Sequence, residues 1–154
     1  MIPSPFPSPT LLSIAEAGAA ARVHRLSFDA RFPWLVGLHS TDENAQFYAD
    51  HVFRTCTVWG IHHGPDLVGF IAFQNDWVEQ LYVLPTHQGL GYGGSLLDIA
   101  KAENAELQLW TFQKNTEARA FYERRGFMAM EFTDGSANEE REPDVRYRWM
   151  RAKP

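Results

Sequence analysis

The sequence contains one cysteine, Cys56, and it has no excess of basic residues. A single cysteine cannot form an internal disulfide, which excludes the small secreted scaffolds that depend on such bonds. Because 14 Lys and Arg stand against 19 Asp and Glu, the formal charge is −5, and nucleic acid is not an expected partner. No run reaches the roughly 20 apolar residues that span a bilayer, so no membrane association is expected.

The amino terminus also lacks the basic start and the apolar run of a signal peptide. We therefore predict a poorly ordered, proline-rich lead over residues 1–9, one domain over residues 10–154, and a cytoplasmic location. The chain as a whole is 45% hydrophobic, 14% aromatic and 21% charged, which is typical of a globular protein. A chain of this length can bury roughly 68–70% of its unfolded surface, enough for a core without disulfides.

Hydrophobic periodicity divides the chain into helices and strands. Helical spacing predicts helices over residues 14–28, from Ser40 onward, over 91–106 and over 116–125; Ser40 and Glu43 form a capping box. Alternating or β-branched segments predict strands over residues 11–14, 55–61, 67–74, 77–84, 107–112, 127–132 and 145–150. The strand–helix–strand middle implies a parallel crossover. We therefore predict an α/β (α+β) fold with a mixed, mostly antiparallel sheet of six to seven strands and helices on both faces.

A strand, a glycine-rich turn and the start of a helix follow one another over residues 81–94. Four of the six residues from Gly89 to Gly94 are glycine. Glycine permits positive φ and a close approach of the backbone, and the free N–H groups at a helix start favour an anion. The segment therefore predicts a phosphate or pyrophosphate site. The phosphate-loop pattern GxxxxGK[ST] is absent. Gly89, Gly91 and Gly94 fit the dinucleotide fingerprint GxGxxG only through the Gly93-Gly94 pair, and the ribose-binding acid expected about twenty residues later has no clear candidate.

The spacing Gln88-x-x-Gly91-x-Gly93 resembles the pyrophosphate motif of the GNAT superfamily of N-acyltransferases, [Gln/Arg]-x-x-Gly-x-[Gly/Ala]. Residues 81–85 are similar to the end of the family's fourth strand, and residues 110–115 are similar to its fifth strand and asparagine. The family pattern Asn-x-x-Ala-x-x-Phe-Tyr-x-x-x-Gly-Phe then recurs without a gap at Asn115, Ala118, Phe121, Tyr122, Gly126 and Phe127. Three ordered motifs are more specific than one.

This resemblance implies a GNAT-like fold that uses acetyl-CoA as co-substrate and no metal. The pantetheine arm would lie along Leu81, Tyr82 and Val83, between the fourth and fifth strands. The residues that would hold the pyrophosphate are those of the turn, Gln88, Gly89, Gly91, Gly93 and Gly94. Asn115 would bond the pantetheine amide, although an ordinary helix cap is its alternative role. The Leu81 N–H would polarise the thioester carbonyl.

The resemblance also implies two catalytic side chains. Tyr122 would act as the general acid and protonate the leaving thiolate. Without the family match, the simpler interpretation is that Tyr122 belongs to the apolar face of a helix. Glu79 lies two residues before Leu81, and strand alternation predicts that both side chains share a face. It is the candidate base, with a solvated strand glutamate as the alternative.

The resemblance also implies that the connection between the first two helices lines the acceptor cleft, with Phe32 and Trp34 in contact with the acceptor. The acidic loop 134–144 is expected nearby, where Glu139 and Glu140 would attract a cationic amine. The alternative for Phe32 and Trp34 is ordinary core packing, and the alternative for the acidic loop is a solvated hairpin loop. The expected function is N-acetylation of a small-molecule or peptide amine, and a homodimer is the family-level expectation. A non-catalytic acyl-CoA-binding module is the alternative function.

Overall fold

The structure, a computed structural model, describes residues 7–152, so residues 1–6 of the predicted lead lie outside the described part. The strands described there are β1 (Thr10–Leu11), β2 (Thr57–His63), β3 (Asp66–Gln74), β4 (Trp77–Val83), β5 (Glu106–Phe112), β6 (Met128–Phe132) and β7 (Asp144–Met150). The α-helices are α1 (Ala17–Arg31), α2 (Thr41–Phe47), α3 (Phe53–Thr55), α4 (Tyr92–Glu103) and α5 (Thr116–Arg124). A π-helical segment, Tyr48–Val52, joins α2 to α3. Within residues 7–152, none of the helices has the length and hydropathy required to cross a membrane.

The strands form one mixed sheet in the order β1-β2-β3-β4-β5-β7-β6. Neighbouring strands are antiparallel except β4 and β5, which run parallel. The crossover between these two strands contains α4, because a parallel connection must return the chain to the same end of the sheet. The sheet therefore has one parallel step at its centre, where the sequence predicts it.

Helices cover both faces of the sheet because side chains alternate along the strands. In β3, Phe70 and Ala72 join the core packed against α1 and the segment after α2. Ile71 and Phe73 join the opposite core, which α4 and α5 cover. The predicted mixed sheet with helices on both faces is confirmed.

Local signals fix the start of α2 but not that of α1. Ser40 Oγ accepts a hydrogen bond from Glu43 N, and Glu43 Oε1 accepts one from Ser40 N, each at 3.0 Å, as the predicted capping box requires. The first strand is shorter than predicted, because Ile14 already begins a 3-10 turn that leads into α1.

A bulge in β4 is absent from the sequence-based prediction. Ala72 pairs with Gln80 and Phe73 pairs with Val78, so Glu79 has no partner on β3. A bulge bends its strand and increases the local twist. The strand therefore changes direction at Glu79.

This change of direction coincides with a gap between β4 and β5. Their register contains the single pair Trp77–Gln108, and Gln108 N donates to Asp76 O at 2.7 Å. Both strands run in the same direction from that pair, so the gap opens toward their carboxyl ends. The backbone edge of β4 is consequently available to another molecule.

Candidate functional site

A cavity of about 670 Å³ lies between the carboxyl half of β4, the glycine-rich turn and α5. Its lining includes all of the predicted cofactor residues, Leu81, Tyr82, Val83, Gln88, Gly89, Gly91, Gly93, Gly94 and Asn115. We call it the cofactor-side cavity. The fold thus brings the three sequence motifs to one place.

The turn has the backbone geometry of an anion site. Gly89 and Gly91 have φ values of +78° and +89°, in the left-handed region that favours glycine. Gly91 is the N-cap of α4, so the N–H groups of the first helical turn lack partners within the helix. The helix dipole adds positive potential at the same end. These groups can hold a phosphate without a lysine.

Two further glycines of the turn allow α5 to approach α4. A Cβ at Gly93 would lie 3.2 Å from Phe121 Cζ, and a Cβ at Gly94 would lie 2.9 Å from Arg125 Nη2. The Arg125 guanidinium lies over the Phe121 ring, 3.9 Å from its centroid, and donates to Phe121 O at 3.2 Å. Glycine at these positions therefore keeps this cation beside the turn.

Arg31, at the end of α1, is a cofactor-side residue that the sequence analysis missed. Its Nη2 donates to Glu117 Oε2 at 2.8 Å and to Gln88 Oε1 at 3.4 Å. Together with Arg124 and Arg125 it lines the cofactor-side cavity. The chain is acidic overall, yet three guanidinium groups surround this turn, which makes the site suitable for a polyanion.

The backbone of β4 presents alternate residues to the gap. Leu84 N donates to Val68 O on the β3 side, so the N–H and C=O groups of Leu81 and Val83 point away from β3. Val83 O accepts from Gln88 Nε2 at 2.9 Å and from Ser27 Oγ at 3.1 Å. The Gln88 side chain therefore ties the turn to β4, and the Leu81 N–H is directed toward the gap.

A second cavity of about 540 Å³ adjoins the first one on the side of β5 and the 133–143 loop. We call it the acceptor-side cavity. Seven residues line both cavities: Phe28, Phe32, Leu81, Tyr82, Asn115, Ala118 and Tyr122. A ligand in one cavity can therefore meet a ligand in the other beside Leu81 and Tyr122.

Tyr122 lies at this junction with 8% of its surface exposed. Its ring packs edge-to-face against Phe127, with centroids 5.5 Å apart. Burial raises the pKa of Tyr122 well above the ordinary value for a phenol, so the hydroxyl carries its proton at neutral pH. A protonated phenol at the junction of the two cavities is placed where it can donate a proton to a leaving group.

Asn115 is the N-cap of α5, and its Oδ1 accepts from Ala118 N at 3.2 Å. The cap geometry holds the side chain at the end of β5, where it lines both cavities. The capping role is therefore present, and the cavity-facing role is compatible with it.

Glu79 lines the acceptor-side cavity, but not in the way that alternation predicts. Its Oε2 lies 3.3 Å from Cys56 Sγ and 3.4 Å from His51 Nε2, on the α1 and α2 side of the sheet. Leu81 instead packs against the core on the α4 and α5 side. The prediction that Glu79 and Leu81 share a face is wrong, because the bulge breaks the alternation between them.

The four predicted acceptor residues divide into two pairs. Phe32, 5% exposed, and Glu140 line the acceptor-side cavity. Trp34 and Glu139 are not among its lining residues. Trp34 Nε1 donates to Glu142 Oε1 at 2.7 Å, and Glu139 Oε1 lies 2.9 Å from His39 Nε2. The second pair thus fastens the acidic loop to the segments that follow α1.

His24 also lines the acceptor-side cavity and was missed by the sequence analysis. Its ring stacks on Tyr82 with centroids 4.5 Å apart, and its Nδ1 hydrogen-bonds the Tyr48 hydroxyl at 2.6 Å. Burial lowers the pKa of His24 to about 4, so the imidazole is neutral near pH 7. His24 lies within α1, outside every motif quoted above, so no local pattern in the sequence marks it as a site residue.

Comparison with known proteins agrees with these features. A family model described as an acetyltransferase (GNAT) domain matches residues 54–129. A curated Mycobacterium tuberculosis protein, named as a probable N-acetyltransferase, is 31% identical over 109 residues, or 64% of this chain. The chain spans 63% of that relative's length.

Two solved structures have the same fold. The apo form of YjaB from Escherichia coli gives a TM-score of 0.76 at 19% identity, covering 94% of this chain and 98% of that one. The PaiA N-acetyltransferase from Thermoplasma acidophilum, solved in complex with coenzyme A, gives a TM-score of 0.67 at 21% identity, covering 93% of this chain and 99% of that one. At these identities the likeness establishes the architecture.

Proposed function

Because this chain belongs to the GNAT superfamily, we propose that it is an N-acetyltransferase that moves the acetyl group of acetyl-CoA to a primary amine. The observation that carries the proposal is the meeting of two cavities beside Leu81 and Tyr122. One cavity has the turn and the cations that a pyrophosphate requires, and the other can admit an acceptor. The acceptor is a small-molecule or peptide amine, and the reaction takes place in the cytoplasm.

Acetyl-CoA would occupy the cofactor-side cavity. The pantetheine arm would lie along the free edge of β4, opposite Leu81 and Val83, as a peptide strand lies along a sheet edge. The N–H groups from Gln88 to Gly94 would hold the pyrophosphate, and Arg31, Arg124 and Arg125, which line the same cavity, would balance its charge. Asn115 would bond an amide of the arm.

The reaction follows from these positions. The acceptor nitrogen, as the free amine, attacks the thioester carbonyl, and the Leu81 N–H stabilises the charge that develops on the carbonyl oxygen. The carbon–sulfur bond then breaks, and Tyr122 gives its proton to the thiolate, directly or through a water. The attacking nitrogen loses one proton, for which Glu79 is the candidate base. The products are the acetamide and coenzyme A.

Thiol release with acetyl-CoA and a panel of amines tests this function. Tyr122→Phe should lower kcat at least about tenfold, because the leaving thiolate loses its proton donor, while affinity for acetyl-CoA stays within about twofold. Tyr147→Phe is the matched control, since Tyr147 lines neither cavity, and it should retain kcat.

Two results would count against the proposal. An unchanged kcat for Tyr122→Phe over the full pH range removes the general acid. Binding of acetyl-CoA without thiol release on any amine favours the alternative, a non-catalytic acyl-CoA-binding module. The presence of Tyr122 at the junction is the reason to prefer the enzyme. The homodimer stays a prediction.

A further inference from the structure

The lining of the acceptor-side cavity combines aromatic rings with carboxylates. Its aromatic residues are His24, Phe28, Phe32, Tyr82, Trp110, Phe112 and Tyr122. Its charged residues are Glu79, Glu140 and Asp144, and the described lining contains neither lysine nor arginine. Rings and carboxylates thus face the same space.

The rings form a continuous apolar surface next to the reaction centre. Phe32 packs edge-to-face against Phe28 and against Phe112, with centroids 5.0 Å apart in each pair. Phe28 and Phe32 also line the cofactor-side cavity, so this surface reaches the position of the thioester. Edge-to-face clusters accept a further ring readily, because ring edges and faces carry opposite partial charges.

The carboxylates give the cavity a negative potential. Asp144 accepts hydrogen bonds from Thr133 Oγ1 and from Asn138 Nδ2, the second at 3.2 Å, and these two bonds fix the orientation of its side chain. Glu140 lies in the acidic loop and makes no ion pair among the described residues. His24 is neutral near pH 7 and adds no positive charge. This negative potential favours an acceptor that carries an ammonium group. It disfavours an acceptor that also carries a carboxylate or a phosphate.

We propose that the acceptor is an aromatic alkylamine that carries no carboxylate or phosphate. This inference rests on the proposed function and names its substrate class. The ring packs on Phe28, Phe32 and Phe112, and the amine reaches the junction at Tyr122. The volume of about 540 Å³ is in the range of small-molecule sites. An amino acid is rejected by charge, and a polyamine lacks the ring.

A matched set of acceptors tests the substrate class. We expect kcat/KM for 2-phenylethylamine to exceed that for phenylalanine, which differs only by a carboxylate, by at least tenfold. It should also exceed the values for butylamine and spermidine by at least tenfold. Equal or better use of phenylalanine, butylamine or spermidine overturns the substrate class but leaves the acetyltransferase intact. No thiol release on any amine overturns the proposed function instead.

Two variants test the residues. Glu140→Gln should raise KM for 2-phenylethylamine about three- to fivefold at low salt, with a smaller effect at high salt. Glu103→Gln, at the end of α4 and outside both cavities, is the charge-matched control and should leave KM for 2-phenylethylamine unchanged.

Phe112→Leu tests the ring surface, and it should lower kcat/KM for 2-phenylethylamine at least fivefold more than for butylamine. Unchanged KM in Glu140→Gln, or equal losses for both amines in Phe112→Leu, contradicts the proposal.

Discussion

Asn115 caps α5 through its Oδ1 and lines both cavities with the same side chain. Asn115→Ala should cost about 1 kcal/mol in the free energy of unfolding, because the cap is lost. It should also raise KM for acetyl-CoA several-fold, because the proposed hydrogen bond to an amide of the pantetheine is lost. Urea denaturation and initial rates measure the two effects.

Asn115→Ser separates the two roles, since serine caps helices well but has no amide. We expect near-normal stability and a raised KM. If KM follows stability in both variants, Asn115 is only a cap.

Glu79 is the candidate base whose surroundings differ from the prediction. Burial raises the pKa of Cys56 to about 12, so its thiol stays protonated and can donate to Glu79. If Glu79 accepts the proton of the amine, Glu79→Gln should lower kcat/KM about a hundredfold and flatten the acidic limb of its pH profile. Cys56→Ala controls for the loss of this hydrogen bond. A wild-type pH profile in Glu79→Gln would falsify the assignment.

Among single residues, the sequence predicts those whose role depends on local backbone conformation. Gly89, Gly91 and Asn115 are recognisable because turns and caps require particular residues at fixed spacing. Arg31 and His24 are not recognisable, because a helix residue becomes part of a site only through tertiary packing. Motif spacing therefore finds the glycine-rich turn, but not Arg31 beside it or His24 in the acceptor-side cavity.

Among the elements, the loop between β6 and β7 is held by its own contacts with the α1–α2 connection. His39 lies between Glu139 and Glu43, at 2.9 Å and 3.5 Å, and these carboxylates raise the pKa of His39 above 6.5. Arg25 Nη2 donates to His39 O at 2.8 Å and fixes the backbone there. The loop is thus fastened most strongly when His39 is protonated.

The pH dependence follows from that sign. Because the pKa of His39 is raised in the folded state, protonated His39 stabilises the folded loop fully below about pH 6.5. This stabilisation is lost as the pH rises through the folded-state pKa of His39. Hydrogen-exchange protection of residues 134–143, corrected for intrinsic rates, should therefore fall between pH 6 and pH 9. His39→Gln should abolish the difference, whereas protection within β3 should not change. Equal loop protection at both pH values in the wild type would contradict this prediction.

Element identity and order were predictable, but the bulge was not. The apolar run of β3 and the capping box of α2 are local patterns, and both correspond to observed elements. A bulge depends on how two strands pair, and the residues around Glu79 carry no glycine or proline that indicates one. One unpaired residue was enough to reverse the predicted side of Glu79.

Over the whole molecule, charge is distributed unevenly despite the formal −5. Three arginines lie at the cofactor side, and three carboxylates line the acceptor side. Coenzyme A is therefore expected to bind the folded state, and by mass action at a hundredfold its Kd it should add about 2.7 kcal/mol to the free energy of unfolding. For a chain of this size, that raises Tm by about 5–10 °C.

Thermal unfolding with coenzyme A, dephospho-coenzyme A and pantetheine checks this expectation. Pantetheine lacks the phosphates, so it should give the smallest shift at equal concentration. The coenzyme A shift should also shrink in high salt, because guanidinium–phosphate attraction at the surface is screened. An equal shift with pantetheine would argue against the turn and the arginines as a phosphate site.

The single register pair between β4 and β5 has a consequence for folding cooperativity. Strands β1–β4 and strands β5, β7 and β6 are two hydrogen-bonded ladders connected at Trp77 and Gln108. Cooperative opening units in native-state hydrogen exchange often coincide with supersecondary motifs, so we expect the two ladders to open as separate units. A pantetheine arm bonded along β4 and in contact with α5 would span the seam between the two ladders. Occupancy of the cofactor would then decide whether the protein opens as two foldons or as one.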